Sequence, residues 1–252
     1  MDQKEQELCI RDAMNSIHVS LDDQQVGKLQ KYYEMTVEKN QVMNLTAITE
    51  FHDFVIRHFL DSLLFSDRIL EKFTRKDLSV IDVGTGAGFP GIPLKIAYPA
   101  LKVTLLDSLN KRLLFLNDVI SAIGLENTST VHYRAEDGAR DRLLREKYDL
   151  AVSRAVANMS TLAEYCIPYV KPGGLFVAYK SDSSEEELKK SEKAIEMLGG
   201  KVEEVLTGTI SGTDINRNII LIRKVRNTSN RYPRKAGIPS REPLNNFRES
   251  LL

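Results

Sequence analysis

From Leu78 onward the chain alternates short β-branched runs with stretches of helical period, a pattern that points to a largely parallel sheet with crossover helices. The runs predict strands over Leu78–Val83, Lys102–Asp107, Thr128–Tyr133, Tyr148–Ser153, Leu175–Tyr179, Lys201–Leu206 and Asn218–Lys224. The last two lie close enough to pair antiparallel, through a turn in the Gly208–Gly212 region. Between the fifth and sixth runs, Ser184 with Glu187 makes a capping pattern for a helix that reaches Leu198 and ends at Gly199-Gly200.

The first 76 residues read instead as helices. Ser20 with Asp23 resembles an N-cap pair, Val26, Leu29, Tyr33 and Val37 lay down one apolar stripe, and a second helix is expected from Phe51 to about Ile69. The amide-rich connection Asn40–Thr46 reads as a turn able to face a ligand. After Val225 the chain becomes a Pro-, Gly- and Arg-punctuated segment with little periodicity. The expected organisation is a helical extension (1–76), a sheet domain (77–226) and a basic C-terminal tail (227–252). With 252 residues, 42% of them hydrophobic and 28% charged, the chain can bury a full core. No apolar run is long enough to span a membrane and the N-terminus is too polar for a signal peptide, so a cytoplasmic protein is expected.

The sharpest local signal is Val80-Ile81-Asp82-Val83-Gly84-Thr85-Gly86-Ala87-Gly88-Phe89-Pro90-Gly91. An apolar strand runs into alternate glycines, so the backbone can turn tightly and approach a ligand that side chains would exclude. Phe89 stands where a dinucleotide fingerprint has its last glycine, and Asp82 places a carboxylate beside the loop, which suits a cationic ligand better than a diphosphate. Asp107 ends the second strand nineteen residues after Gly88, where a carboxylate can accept bonds from the ribose hydroxyls of an adenosine. The third strand leads into Arg134-Ala135-Glu136-Asp137, whose small and acidic residues suit the flank of an adenine.

Together with the segment 149–157, which contains Ser153-Arg154-Ala155-Val156, these features resemble the class I S-adenosylmethionine-dependent methyltransferases. More narrowly, the chain resembles the bacterial ribosomal small-subunit RNA methyltransferase G family, formerly called glucose-inhibited division protein B. The likeness extends to Asn44-Leu45-Thr46-Ala47-Ile48, His58-Phe59-Leu60-Asp61-Ser62, Pro172-Gly173-Gly174 with Lys180, and Arg231-Tyr232-Pro233-Arg234 with Gly237-Ile238-Pro239. The resemblance implies an α/β, Rossmann-like fold with a seven-stranded, mostly parallel sheet behind a helical N-terminal extension. It also implies S-adenosylmethionine as cofactor and methylation at N7 of a guanine in 16S ribosomal RNA. Family donor positions match Gly84, Phe89, Ala135, Glu136 and Arg154, and the expected donor site also includes Gly86, Gly88 and Asp107.

The residues bear on the acceptor as well. After the fourth strand the chain lacks the Asn/Asp-Pro-Pro-aromatic tetrad that holds an exocyclic amine, and Cys166 lies in an apolar stretch with no base nearby. Guanine N7 needs neither device, because its in-plane lone pair carries no proton. Arg154, at the carboxyl end of its strand, is the expected positioning residue, for the donor carboxylate or for the guanine O6; the competing reading is an ion pair with Asp149 or Glu164. Cys9 and Cys166 make no disulfide framework, the four histidines form no ligand set, and no metal site is expected; His58, beside Phe59 and Leu60, reads as structural.

Net charge is zero, with 35 basic and 35 acidic residues, yet the eight basic residues between Ile215 and Arg241 have no acidic neighbour in that stretch. Such a segment can track a phosphate backbone, with Tyr232 stacking on an unpaired base. Arg231, Arg234, Lys235, Arg241 and the strand-end Lys180 are the expected RNA contacts, and 16S ribosomal RNA or the small ribosomal subunit is the expected partner of a monomer. The alternatives are a small-molecule methyltransferase with a helical lid and a non-catalytic ribosome-assembly factor.

Overall fold

The computed structural model of the protein describes residues 1–154, 157–181, 185–210 and 212–244. Helices α1 (Gln3–Asn15) and α2 (Asp23–Met43) come first. The cap of α2 is Asp22, whose carboxylate accepts from Gln25 N while the Gln25 amide accepts from Asp22 N; the Ser20–Asp23 pair does not serve. The buried stripe runs through Val26, Leu29, Tyr32 and Thr36, so Tyr33 and Val37 sit at its margin. The expected long helix after Phe51 is broken: α3 (Phe51–Phe54), a π turn (Val55–Leu60), α4 (Asp61–Leu63), then Phe65 at φ 62° before α5 (Ser66–Leu70). Pattern alone did not show that break, because the sequence stays apolar through it.

All seven expected strands form: β1 (Ser79–Val83), β2 (Lys102–Asp107), β3 (Thr128–His132), β4 (Tyr148–Arg154), β5 (Val170–Ser181), β6 (Gly200–Thr209) and β7 (Asn216–Lys224). They make one sheet in the order β3-β2-β1-β4-β5-β7-β6, in which β7 runs antiparallel to both β5 and β6 and the other pairings are parallel. Helices α6 (Gly91–Ala97), α7 (Asn110–Ala122), α8 (Ala135–Gly138), α9 (Met159–Cys166) and α10 (Glu185–Met197) lie between strands. The Ser184 cap expected for α10 falls outside the described residues, as do Ala155, Val156 and the tail beyond residue 244.

Alternate side chains of the strands point to opposite faces. One face carries Val80, Leu105 and Leu150 and is covered by Ile10, Val26, Leu29, Ile92 and Leu113 of α1, α2, α6 and α7. The other carries Ile81, Leu106 and Ala151 beneath Leu162, Ala194 and Ile195 of α9 and α10. Each fully buried aliphatic side chain contributes about 1.5–3 kcal/mol, so the helical extension shares the sheet's core. No helix among the described residues is long and apolar enough to cross a membrane.

The C-terminal segment is fastened to the sheet domain. Arg145 donates to the carbonyls of Thr228, Ser229 and Tyr232, Arg140 donates to that of Pro233, and Thr161 Oγ1 donates to Pro239 O. The buried Lys224 Nζ reaches Thr228 Oγ1 and the Glu146 carboxylate, and α11 (Ile238–Arg241) then closes the described chain.

Candidate active site

The carboxyl ends of β1, β2 and β4 open on a cleft of about 530 Å³, where ligands of open α/β sheets bind. The loop after β1 forms its floor. Gly84 N and Thr85 N both donate to Leu106 O, and Gly84 and Gly86 adopt φ of 73° and 60°, a region that L side chains avoid. A Cβ on Gly86 would meet no protein atom within 4 Å, so this backbone faces open space. Gly88 is different: its Cβ would fall 2.6 Å from Tyr32 Oη and 2.9 Å from Leu116 Cδ2, and it does not line the cleft. Gly88 therefore serves the packing of α2 against the loop rather than the ligand, a correction to its expected role.

Asp82 also departs from expectation. Its side chain is fully buried; Oδ2 accepts from Thr85 Oγ1 at 2.7 Å and Gly91 N at 2.9 Å, while Oδ1 has no partner among the described residues. It braces the loop from behind instead of facing a ligand. Burial pushes its pKa up to about 6, against those two bonds. A carboxyl whose folded pKa is raised contributes stability below its unfolded value and loses it as pH rises through the folded one. Asp82→Asn should thus be progressively stabilising relative to the parent between about pH 4 and 6, by on the order of 2–3 kcal/mol in all, with the difference constant above that range. Urea unfolding of both proteins across pH 4–7.5 checks this, and parallel stability profiles would contradict it.

Asp107 lines the cleft. Its Oδ2 accepts from Gly86 N at 2.9 Å and its Oδ1 from Leu109 N at 2.8 Å, which ties the glycine loop to the end of β2. Oδ2 also accepts from Arg112 Nη1 at 3.4 Å, so the lone pair left for a hydroxyl donor is on Oδ1. Ala135 and Glu136, in the first turn of α8, form another wall, with Tyr133 and Tyr165 near them. Glu136 Oε1 accepts from Gly237 N at 2.8 Å, and Gly237 and Ser240 themselves line the cleft. The tail is thus part of the pocket, a role that its composition did not disclose.

Arg154 ends β4 and reaches into the cleft, but neither Asp149 nor Glu164 is its partner. Its Nη1 bonds Asp61 Oδ2 at 2.9 Å and its Nη2 lies 3.1 Å from His58 Nδ1. The guanidinium carbon sits 5.0 Å from the centre of the Phe89 ring, on which His58 is stacked at 4.4 Å. His58 Nε2 is 2.8 Å from Thr46 Oγ1. Burial, and then the Arg154 charge, lower the His58 pKa to about 3, so the ring is neutral, with Nδ1 accepting from Arg154 and Nε2–H donating to Thr46. His58 and Leu45 line the cleft, so the two N-terminal motifs, 44–48 and 58–62, converge on Arg154 and Phe89. Sequence reasoning gave His58 a structural place, Asp61 no role, and Thr46 only a place in a turn able to face a ligand. Their recurrence in the resemblance was the available signal.

Of the eight basic residues that looked uncompensated, four meet carboxylates from distant parts of the chain. Arg217 pairs with Asp61, Arg223 with Glu203, Lys224 with Glu146 and Arg234 with Glu164. Arg234 Nη2 lies 2.7 Å from a fully buried Glu164 carboxylate, so Arg234 is an internal ion pair, contrary to its expected role as a phosphate contact. Lys180 likewise donates to Glu187 at 2.9 Å and to Ala157 O, and Tyr232 packs against the core rather than standing ready to stack. Arg231, Lys235 and Arg241 remain exposed, the last two within two residues of the cleft-lining Gly237 and Ser240.

A family model described as GidB, rRNA small subunit methyltransferase G, matches residues 25–220. The chain is similar to the ribosomal RNA small subunit methyltransferase G of Acetivibrio thermocellus, at 49% identity over 97% of this chain and 100% of that protein. It is similar also to the protein of that name from Lachnoclostridium phytofermentans, at 49% identity over 92% and 94% of the two chains. In fold it resembles the crystal structure of a 16S rRNA (adenine(1408)-N(1))-methyltransferase variant with its cosubstrate SAM from Catenulisporales acidiphilia. That likeness has a TM-score of 0.50 at 15% identity and covers 65% of this chain and 92% of the other.

Proposed function

Because the chain belongs to the rRNA small subunit methyltransferase G family, we propose that it transfers a methyl group from S-adenosylmethionine to N7 of a guanine in 16S ribosomal RNA. The observation that carries this reading is the cleft at the strand ends, where the open backbone at Gly86, the Asp107 carboxylate and Arg154 converge. They fit the donor: a cavity of about 530 Å³ holds a nucleoside-sized ligand, and Asp107 Oδ1 keeps a lone pair for a ribose hydroxyl. Gly84, Gly86, Phe89, Ala135 and Glu136 would complete the donor seat, and a monomer remains our reading of the oligomeric state. A ribosomal substrate supports a cytoplasmic location, and the sheet domain between a helical extension (1–76) and a tail (227–252) remains our division of the chain.

When bound, S-adenosylmethionine supplies an electrophilic methyl group on a positively charged sulfur. The protein's work is positioning, since N7 has no proton to lose and reactants held at near-attack distance need no general base. Asp61 and His58 fix the Arg154 guanidinium at the cleft wall, where it can hold a carboxylate or the guanine O6. None of His58, Tyr133 and Tyr165 titrates near neutrality: His58 is lowered to about 3, and the two tyrosines are raised, Tyr133 by its bond to Asp141 and Tyr165 by burial. Burial also raises the Cys166 thiol. Single-turnover transfer should therefore be nearly independent of pH between about 6.5 and 9, and a rising limb would indicate a base and overturn this mechanism.

The exposed Arg231, Lys235 and Arg241 are the tail cations we assign to phosphate. Replacing each by Ala should reduce the slope of log affinity against log salt by roughly 0.7–0.9 per contact, while calorimetry shows donor binding intact. Slopes equal to the parent's would make the tail a solvated face.

A further inference from the structure

A second cleft, of about 400 Å³, adjoins the first and shares His58 and Arg154 with it. Its size suits one small ligand or one nucleotide. Most of its charged groups are already satisfied. Asp61 bonds Arg217 through Oδ1 and Arg154 through Oδ2, and Glu187 Oε1 accepts from Lys180 Nζ and from Met159 N. Two groups lining it retain capacity. Glu187 Oε2 receives no bond from any described residue, and the exposed Arg57 guanidinium has no carboxylate within ion-pair distance among the described residues.

An N7 lone pair does not by itself specify guanine, because adenine carries one too. The two bases differ at C6, beside N7, where guanine offers the O6 that Arg154 can hold and adenine an amino group, and again on the far side of the ring, where only guanine has an N2 amino group. If N7 faces the wall that the two clefts share, the N2 amino group points away from His58 and Arg154, into the part of the second cleft that the donor site does not share. Glu187 belongs to that part.

Resting on the methyltransferase reading above, we propose that this second cleft seats the target guanine, with Glu187 Oε2 accepting from the N2 amino group and Arg57 meeting an adjoining phosphate. Glu187 is then a specificity residue: it rewards guanine and leaves an acceptor unpaired when the base lacks the amino group.

The test uses the full chain and short RNAs carrying the target loop with guanosine or with inosine, which lacks only that amino group. For the parent, inosine should lower kcat/KM by about tenfold or more, the effect of one hydrogen bond to a charged group. Glu187→Gln keeps an oxygen for Lys180 and Met159 N but presents an NH2 in place of Oε2, so its guanosine-to-inosine ratio should fall to within about threefold. A merely structural role would slow both RNAs equally and leave the ratio unchanged. Arg57→Ala should lower the salt slope of RNA binding by roughly 0.7–0.9 with donor affinity unaltered. Equal use of both RNAs by the parent, or a ratio preserved in Glu187→Gln, overturns the proposal while the methyltransferase reading stands. A parent that transfers methyl to no RNA overturns that reading and this one with it.

Discussion

Gly86→Val should abolish donor binding while leaving most of the fold intact. At φ 60° a valine pays about 1–2 kcal/mol of backbone strain, and its side chain, meeting no protein atom, would project into the cleft. Affinity should fall by at least about 100-fold, or roughly 3 kcal/mol, while melting temperature drops by only roughly 2–8 °C. Gly88→Ala should behave in the opposite way. Its Cβ would overlap Tyr32 Oη, whose hydroxyl donates to Ala87 O at 2.6 Å, so the loss is one of stability, with about 1–3 kcal/mol from overpacking alone. Calorimetry with S-adenosylmethionine and thermal melts separate the two cases, and undiminished binding by Gly86→Val would remove the loop from the donor site.

Arg234→Ala should destabilise the protein strongly, although composition marks this residue as an RNA contact. It would strand the Glu164 carboxylate, which is fully buried and also accepts from Arg234 N. Breaking such a pair from one side costs about 3–5 kcal/mol, hence a fall of roughly 6–20 °C in melting temperature. Because Gly237 follows closely and its N–H is held by Glu136, loosening the segment should also weaken donor binding. Arg231→Ala, at an exposed site, should leave the melting temperature within about 2 °C, the effect of an ordinary surface substitution. A stable Arg234→Ala protein with a reduced salt slope would restore Arg234 to the RNA interface.

The strands were legible because β-branched runs between helical stretches report burial on two faces, and the observed ends differ by a few residues, most at β5, which starts at Val170 instead of Leu175. The glycine loop, Asp107, Ala135-Glu136 and Arg154 were legible because they lie at strand ends, where the sheet delivers residues to one cleft. Pairings across long sequence separations were not. Nothing local in Ile215–Arg241 shows that Asp61, Glu146, Glu164 and Glu203 supply its counter-charges. Nor could spacing show that Asp82 turns behind the loop, since strand alternation puts it on a covered face only once the register is known. The resemblance supplied motifs 44–48 and 58–62, and the structure adds how they work, as a brace of Thr46, His58 and Asp61 around Arg154 and Phe89.

The central claim is the attacking atom, and one substitution in the RNA isolates it. A target loop carrying 7-deazaguanosine at the modified position keeps the O6, N1 and N2 groups but replaces N7 and its lone pair with C–H. With S-adenosylmethionine labelled in its methyl group, the guanosine RNA should accumulate label as 7-methylguanosine and the 7-deaza RNA should accumulate none. Label in the 7-deaza RNA at a rate comparable to guanosine would place the transfer at another atom and contradict the account.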